Sequence, residues 1–480
     1  MDVMKQVVAF FIAVLSCSWS LAAEGEQLNV LMIMADDLRP ELASYGSPAK
    51  TPNLDRLVAQ SVQFNRVYCQ QALCNPSRSS MLTGRRPDTL KLWHNSVHFR
   101  ELNPDVTTLP LWFKEHGYHT RCVGKIFHNW HTKEKGDARS WSAPEYLHYA
   151  THLEDFPKVE GTLPDDHAKA PKCECRDLPD EAYYDGRVAA EAVRVLAEIK
   201  DQPFFLAVGL WKPHTPFNAP KKYWDIYDRN ALPRLIPGRP AGTPEIAFHD
   251  GRELRGIPPK QITFTPEQAA EIRHGYFANI SFMDAQLGKV LDALERSGQR
   301  QRTIVLFVSD HGYHLGEHDQ WAKTSNFELD AHVPLVISAP GKSKNQRSDS
   351  LVELLDLFPT LVDLCKLPQP AGIEGVSIAP TLDDPAKQIK PAAFTQHPRP
   401  AYFDREPANL PKAMGCSVRT ARVRYTEWRD WQSGEIVGRE LYDAQSDPAE
   451  MRNAVDDRRL ADAQAEAEVL LKKQFPPTRH

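Results

Sequence analysis

The residues able to do chemistry in this sequence are acidic, basic or sulfur-bearing, and most of them stand just beyond apolar runs. Asp36 and Asp37 close the run Leu28 to Met34, and Asp310 and His311 follow Thr303 to Ser309. In an open α/β sheet, ligand-binding residues gather beyond the carboxyl ends of strands. Three carboxylates from two such ends suit a hard divalent cation, Ca²⁺ or Mg²⁺. His311 is the weaker member, because imidazole is an uncommon calcium ligand. Asp36-Asp37 alone also reads as a pair of turn or cap residues. Cys74 stands four residues before Arg78, a spacing that returns the guanidinium to the cysteine's face of a helix. Pro76 in the first turn marks the start of that helix, whose unpaired amide protons favour an anion. The plain alternative is a buried cysteine ahead of a proline-started helix. Further cations and proton carriers follow strand-like segments: Lys125 and His128 after Thr120 to Val123, and Lys212 and His214 after Phe204 to Leu210. Lys323 follows Asp310 by a loop able to fold back over the same place. Arg85 and Arg86 lie too far along the helix and read as structural.

These residues need a scaffold that brings distant segments together. Leu28 to Met34 and Phe204 to Leu210 are continuous apolar runs, the pattern of parallel strands buried on both faces. Helical patterns cover Asn53 to Phe64, Leu109 to His116, Glu181 to Lys200, Pro266 to Ser297 and Leu351 to Leu364. Val333 to Ser338 reads as a further strand. Strands alternating with helices predict an α/β fold, a doubly wound and mainly parallel sheet between helical layers. Near residue 390 the texture changes. Alternation over Ser417 to Trp428 and Glu440 to Tyr442 predicts a small antiparallel sheet, with a terminal helix over Ala461 to Phe475. The expected organisation is a leader at 1–23, a catalytic domain at 24–388 and a C-terminal α+β subdomain at 389–480.

The chain has 480 residues and a formal net charge of −5, with no long Lys or Arg run. Nucleic-acid binding therefore has no electrostatic support. Lys5 precedes the apolar stretch Val7 to Leu15, and small residues lead to Ala22-Ala23, which reads as a secretory signal peptide. Secretion or a periplasmic location is the expectation, and Leu15-Ser16-Cys17 leaves lipoprotein anchoring at Cys17 as an alternative. No later segment is apolar and long enough for a transmembrane span. Eight cysteines do not make a disulfide framework in a chain of this size. Cys173-Glu174-Cys175 reads as a surface-loop disulfide position or a metal site. One glycosylation sequon, Asn279-Ile280-Ser281, falls in a helical pattern.

Residues 74 to 84, Cys-Asn-Pro-Ser-Arg-Ser-Ser-Met-Leu-Thr-Gly, have the form C-x-P-S-R-x-x-x-L-T-G. This resembles the maturation signal of type I sulfatases. The resemblance implies the alkaline-phosphatase/sulfatase-like fold and oxidation of Cys74 to formylglycine by a formylglycine-generating enzyme. It implies that the hydrated aldehyde attacks sulfur with one hydroxyl and releases sulfate by re-forming the aldehyde. It extends over nearly the whole mature chain, and the segments Ser309-Asp310-His311-Gly312, Leu315-Gly316-Glu317-His318, Trp321-Ala322-Lys323, Gly124-Lys125-Ile126-Phe127-His128 and Lys212-Pro213-His214 look like the iduronate-2-sulfatase branch. In that branch Asp36, Asp37, modified Cys74, Asp310 and His311 would hold one Ca²⁺. Arg78, Lys125, His128, His214 and Lys323 would be the catalytic cations and proton carriers. The implied substrate is a 2-O-sulfated uronic acid in heparan or dermatan sulfate, or in a related sulfated polysaccharide. Tyr313 departs from the Trp of the animal enzymes, and the loops from Trp130 to Lys172 look unlike theirs. The alternatives are a phosphonate or phosphate monoester hydrolase of the same superfamily, or a non-catalytic sulfated-glycan binding protein.

Overall fold

The computed structural model describes residues 27–476, except 129–131, 147, 149–172, 234, 237, 250 and 257–260. The leader, the Cys17 alternative and most of the 130–172 loop lie outside the described residues. The first strands are β1 (Asn29–Asp36), β2 (Val62–Tyr68), β3 (His119–Gly124), β4 (Cys173–Arg176), β5 (Phe204–Pro213) and β6 (Phe217–Pro220). They are followed by β7 (Thr303–Ser309), β8 (His314–Leu315), β9 (Trp321–Ala322), β10 (Leu335–Ser338) and β11 (Gln346–Glu353). Seven of these form one sheet in the order β11-β2-β10-β7-β1-β5-β3. Only β10 runs against the others, pairing antiparallel with both β2 and β7.

β1 lies between β7 and β5 and is buried along its whole length. Leu31, Ile33 and Ala35 point into one core, beside Val188 and Leu196 of helix Tyr184–Ile199 and Tyr276 and Ile280 of helix Pro266–Arg296. Val30, Met32 and Met34 point into the other, beside Met81 and Leu82 of helix Cys74–Thr83 and Phe113 of helix Leu109–Glu115. Both faces are covered, so an alternating polar pattern has no place in this strand. Residues after β1, β3, β5 and β7 consequently emerge at one edge of the sheet.

Four later strands, β12 (Ala393–Arg399), β13 (Ala413–Arg419), β14 (Val423–Asp430) and β15 (Ile436–Asp443), form a wholly antiparallel sheet. Helix Ala461–Gln474 covers it with Ala467 and Leu471, which meet Val418, Tyr425 and Leu441. The α/β architecture and the C-terminal antiparallel sheet are those predicted.

Two helical expectations are corrected. The helix over Asn53 to Phe64 spans only Pro52–Val58, and Val62 to Phe64 belong to β2. The Ser61 hydroxyl bonds back to Leu57 O and closes the turn. Leu351 to Glu353 likewise belong to β11, and the α-helix there is Leu357–Leu364. In both places apolar residues in helical phase are also in phase for a buried strand end. Among the described residues Cys173 and Cys175 form no disulfide. They are two residues apart on one extended strand, which separates their Cα atoms by roughly 6.6 Å, at the limit for a bridge. The sequon residue Asn279 is fully buried in its helix. Among the described residues no helix is long and apolar enough to cross a membrane.

Glu353 ties the two sheets together. Its carboxylate accepts from Arg86 at 2.7 and 2.9 Å, from Lys390 at 2.8 Å and from the Phe394 amide at 3.0 Å. Burial pushes the group up, but Arg86 and Lys390 outweigh it and hold the carboxyl at about 2. A depressed folded-state value stabilises the fold above the unfolded value of about 4.3 and is lost as pH falls through the folded one. Glu353→Gln should therefore cost about 3–5 kcal/mol near neutrality by leaving two buried cations short of charge. Denaturant unfolding should show the gap to wild type narrowing as pH falls from about 4.3 towards 2; a constant gap would contradict this.

Candidate active site

The edge formed by the ends of β1, β3, β5 and β7 is built on a sharp turn. Asp36 is the last residue of β1, and Asp37 has φ +63°. Asp tolerates this left-handed conformation better than most residues. The Asp37 amide donates to Asp310 Oδ1 at 3.2 Å, and its carbonyl accepts from Tyr276 at 2.7 Å. These bonds fix Asp36 and Asp37 beside the end of β7. Asp310 and His311 follow directly, and all four side chains are fully buried.

Helix Cys74–Thr83 points its N-terminus at this turn. The Cys74 sulfur lies 3.4 Å from His311 Nε2 and 3.7 Å from both Asp36 Oδ1 and Lys125 Nζ. Arg78, one turn on, is completely buried. It donates through Nε to Asp310 Oδ2 at 2.7 Å and through Nη1 to the carbonyls of Lys125 and Ile126. Its Nη2 faces Asp36 Oδ1 at 3.4 Å and has no hydrogen-bond partner.

Lys125 reaches the same point through a backbone approach only glycine permits. A Cβ on Gly124, at φ +81°, would lie 2.0 Å from Gly209 O, and one on Gly209 would lie 2.0 Å from Lys125 O. The Lys125 ammonium bonds Asp36 Oδ2 and sits 4.6 Å from the Trp211 ring centroid. His128 is buried three residues further on. His214 Nε2 stands 3.9 Å from Asp37 Oδ2, while its Nδ1 is 2.6 Å from Thr215 O. A carbonyl partner requires Nδ1 to carry the proton, so neutral His214 presents a bare Nε2. Burial and Lys323 push this imidazole well below its usual value. Lys212, which neighbours His214 in sequence, turns away to Pro216 O and Asn218. Lys323 grips both Asp37 oxygens at 2.8 and 3.0 Å and Glu253 at 2.9 Å. Ala322 and Thr324 flank it at φ +74° and +92°, a bent backbone that turns its side chain inward.

The sulfatase family model matches residues 28–367, and a model of the C-terminal region of N-sulphoglucosamine sulphohydrolase matches 316–475. Iduronate 2-sulfatase of Mus musculus is 35% identical over 91% of this chain and 93% of its own, and that of Homo sapiens 33% over 91% and 92%. The chain belongs to the sulfatase family. It is a sulfatase enzyme by that similarity. The fold also matches a phosphonate monoester hydrolase from Silicibacter pomeroyi, with TM-score 0.79 and 22% identity over 95% of this chain and 96% of that one. A structure described as a 2-O GAG sulfatase matches with TM-score 0.69 and 22% identity, covering 94% and 92%.

The sulfatase's acidic cluster fits a hard divalent cation. Asp36, Cys74, Asp310 and His311 each offer one atom within 4.8 Å of the others, and Asp37, Cys74 and His214 form an overlapping set. Donors sharing one ion at roughly 2.4 Å can lie no more than about 4.8 Å apart. The charges around the carboxylates set them apart. Burial raises Asp36, but Lys125 and Arg78 outweigh it and hold the group well below its usual value. Burial, with Asp36 close by, pushes Asp37 up to about 7 despite Lys323. Burial lowers His311, but Asp310 and the Cys74 sulfur raise it to about 10. A bound cation would take that proton's place, since a ligating imidazole is neutral.

Several residues that build the site carry no local signal in the chain. Glu253 as partner of Lys323, Trp211 under Lys125 and Tyr276 beneath Asp37 are contacts between segments far apart in the chain. Asp185 is another: its carboxylate accepts from the Trp211 and Lys212 amides at 2.8 and 2.9 Å and fixes the end of β5. Only the Gly124-Lys125 pair offered a local signal. Gly209→Ala should force the β3 and β5 ends apart and displace Lys125, lowering kcat on a sulfate ester on the order of 100-fold. Steady-state kinetics checks it, and near-normal kcat in a folded variant would contradict it.

Proposed function

We propose that the enzyme removes the 2-O-sulfate of a uronic acid, iduronate foremost, from heparan or dermatan sulfate fragments or a related sulfated polysaccharide. The observation that carries this reading is the meeting of Cys74, at a helix N-terminus, with Asp36, His311 and Lys125, 3.4–3.7 Å from its sulfur. The similarity to iduronate 2-sulfatases over nine-tenths of the chain supports the choice of sugar.

Formylglycine at position 74, made from Cys74 by a formylglycine-generating enzyme, would supply a hydrated aldehyde as nucleophile and a route for sulfate to leave. Asp36, Asp37, Asp310 and His311, with residue 74, would hold one Ca²⁺ or Mg²⁺, which would supply positive charge against the sulfate oxygens. The chain's own groups do the rest. Arg78 holds Asp310 and Asp36 in place and adds a fixed charge behind residue 74. Lys125 lies within reach of residue 74 and binds an oxygen there and on the sulfate. Lys323 binds a second sulfate oxygen. His128 accepts a proton from residue 74 as sulfate departs. His214 protonates the leaving alcohol after taking up a proton that the sulfate's charge draws to its bare Nε2. Residues 24–388 form the catalytic domain in this reading, 389–480 the subdomain, and the leader directs secretion or export to the periplasm.

The test is sulfate release by purified enzyme from disaccharides sulfated at uronate O2 or on glucosamine, with phosphate and phosphonate esters alongside. Turnover of the 2-O-sulfated uronate is expected, and Cys74→Ala should abolish it without lowering the melting temperature. Turnover of phosphonate esters alone would favour the phosphonate hydrolase reading. Saccharide binding without turnover of any ester would favour a binding protein.

A further inference from the structure

Tyr313, directly after the Asp310–Gly312 turn, is fully buried, and its hydroxyl has no hydrogen-bond partner among the described residues. A buried, unpaired hydroxyl costs the fold about as much as a broken hydrogen bond, so such a group calls for an explanation. The ring is held firmly. It stacks on Tyr276 at 5.9 Å and 18°, and meets Phe217 edge-on at 6.2 Å. Its backbone is bonded on both sides, to Leu329 O at 2.8 Å and from Arg39 at 3.3 Å. The hydroxyl cannot turn elsewhere without breaking that packing.

Its surroundings belong to the reactive centre. The Lys323 ammonium is 5.8 Å from the ring centroid and bonds Asp37. Lys323 also donates to Glu253 at 3.0 Å, and Arg252, the residue before Glu253, sits 5.3 Å from the Tyr402 ring centroid. Tyr402 packs against Leu73, the residue before Cys74. A tyrosine hydroxyl keeps its proton at ordinary working pH and can donate. Lys125 and Lys323 already supply the positive charge a sulfate needs. A neutral donor on the Lys323 side suits an oxygen of the alcohol that carries the sulfate.

We propose that the Tyr313 hydroxyl donates a hydrogen bond to an oxygen of the saccharide leaving group and is a specificity-determining residue. This rests on the reading of the centre as a saccharide sulfatase site. The test compares kcat/KM for a 2-O-sulfated uronate disaccharide and for 4-nitrophenyl sulfate, in wild type and in Tyr313→Phe. The aryl ester keeps the sulfate but lacks the sugar oxygens. Loss of one hydrogen bond should lower the saccharide-to-aryl ratio about tenfold. A thermal unfolding curve like that of wild type shows the ring still packed. Equal losses on both substrates would mean that the hydroxyl serves the sulfate or the centre, and an unchanged ratio that it meets only water; either overturns the inference. A wild-type enzyme inert towards the disaccharide would instead sink the underlying function, and this inference with it.

Discussion

The site depends on a buried balance of charge. Asp36, Asp37 and Asp310 meet Arg78, Lys125 and Lys323 with almost no access to water. Taking any one of these ions from water costs several kcal/mol, and only close partners offset it. The carboxylates therefore cannot gather at one sheet edge unless the cations come with them. Those same cations stand around Cys74, where an anionic ester would need them. The arrangement that makes the fold tolerable is the arrangement that could bind sulfate. Asp36, Asp37, Asp310 and His311 are the residues that would hold a divalent cation, which would supply positive charge beside that of Lys125 and Lys323.

The scaffold meets this demand by bringing four strand ends to one place. β1 and β7 deliver the acids, β3 and β5 deliver Lys125 and His214, and the Gly124–Gly209 contact sets how close the last two can come. Helix Cys74–Thr83 is tied through Arg78 to Asp310, which holds the cysteine beside the acids. Asp185 and Tyr276 support the site from helices on the far side of the sheet. The Lys323 loop closes the ring with a backbone bent at Ala322 and Thr324.

Much of this was legible in the sequence because its signals are local. The apolar runs before Asp36 and Asp310 mark strands buried on both faces, and the carboxylates follow at once. The spacing from Cys74 to Arg78 is a single helical turn. Elsewhere the signals are ambiguous: Val62 and Leu351 sit in phase for a helix and for a strand end alike, and only the neighbouring strands decide. Lys212 follows the same strand as His214, yet its side chain serves the turn at Pro216. Glu253, Trp211 and the orphaned Tyr313 hydroxyl could not be found from spacing. Their roles come from distances that exist only once the loops have closed on the sheet edge.

In the proposed reaction the residue gripped between Asp36, His311 and Lys125 is an aldehyde in the working enzyme rather than a thiol. Mass spectrometry of the proteolytic peptide containing position 74, from active enzyme and with a carbonyl-reactive probe, measures this directly. An aldehyde that takes up the probe is expected, in a fraction that tracks specific activity across preparations. Fully active enzyme carrying only an unmodified Cys74 thiol would contradict it.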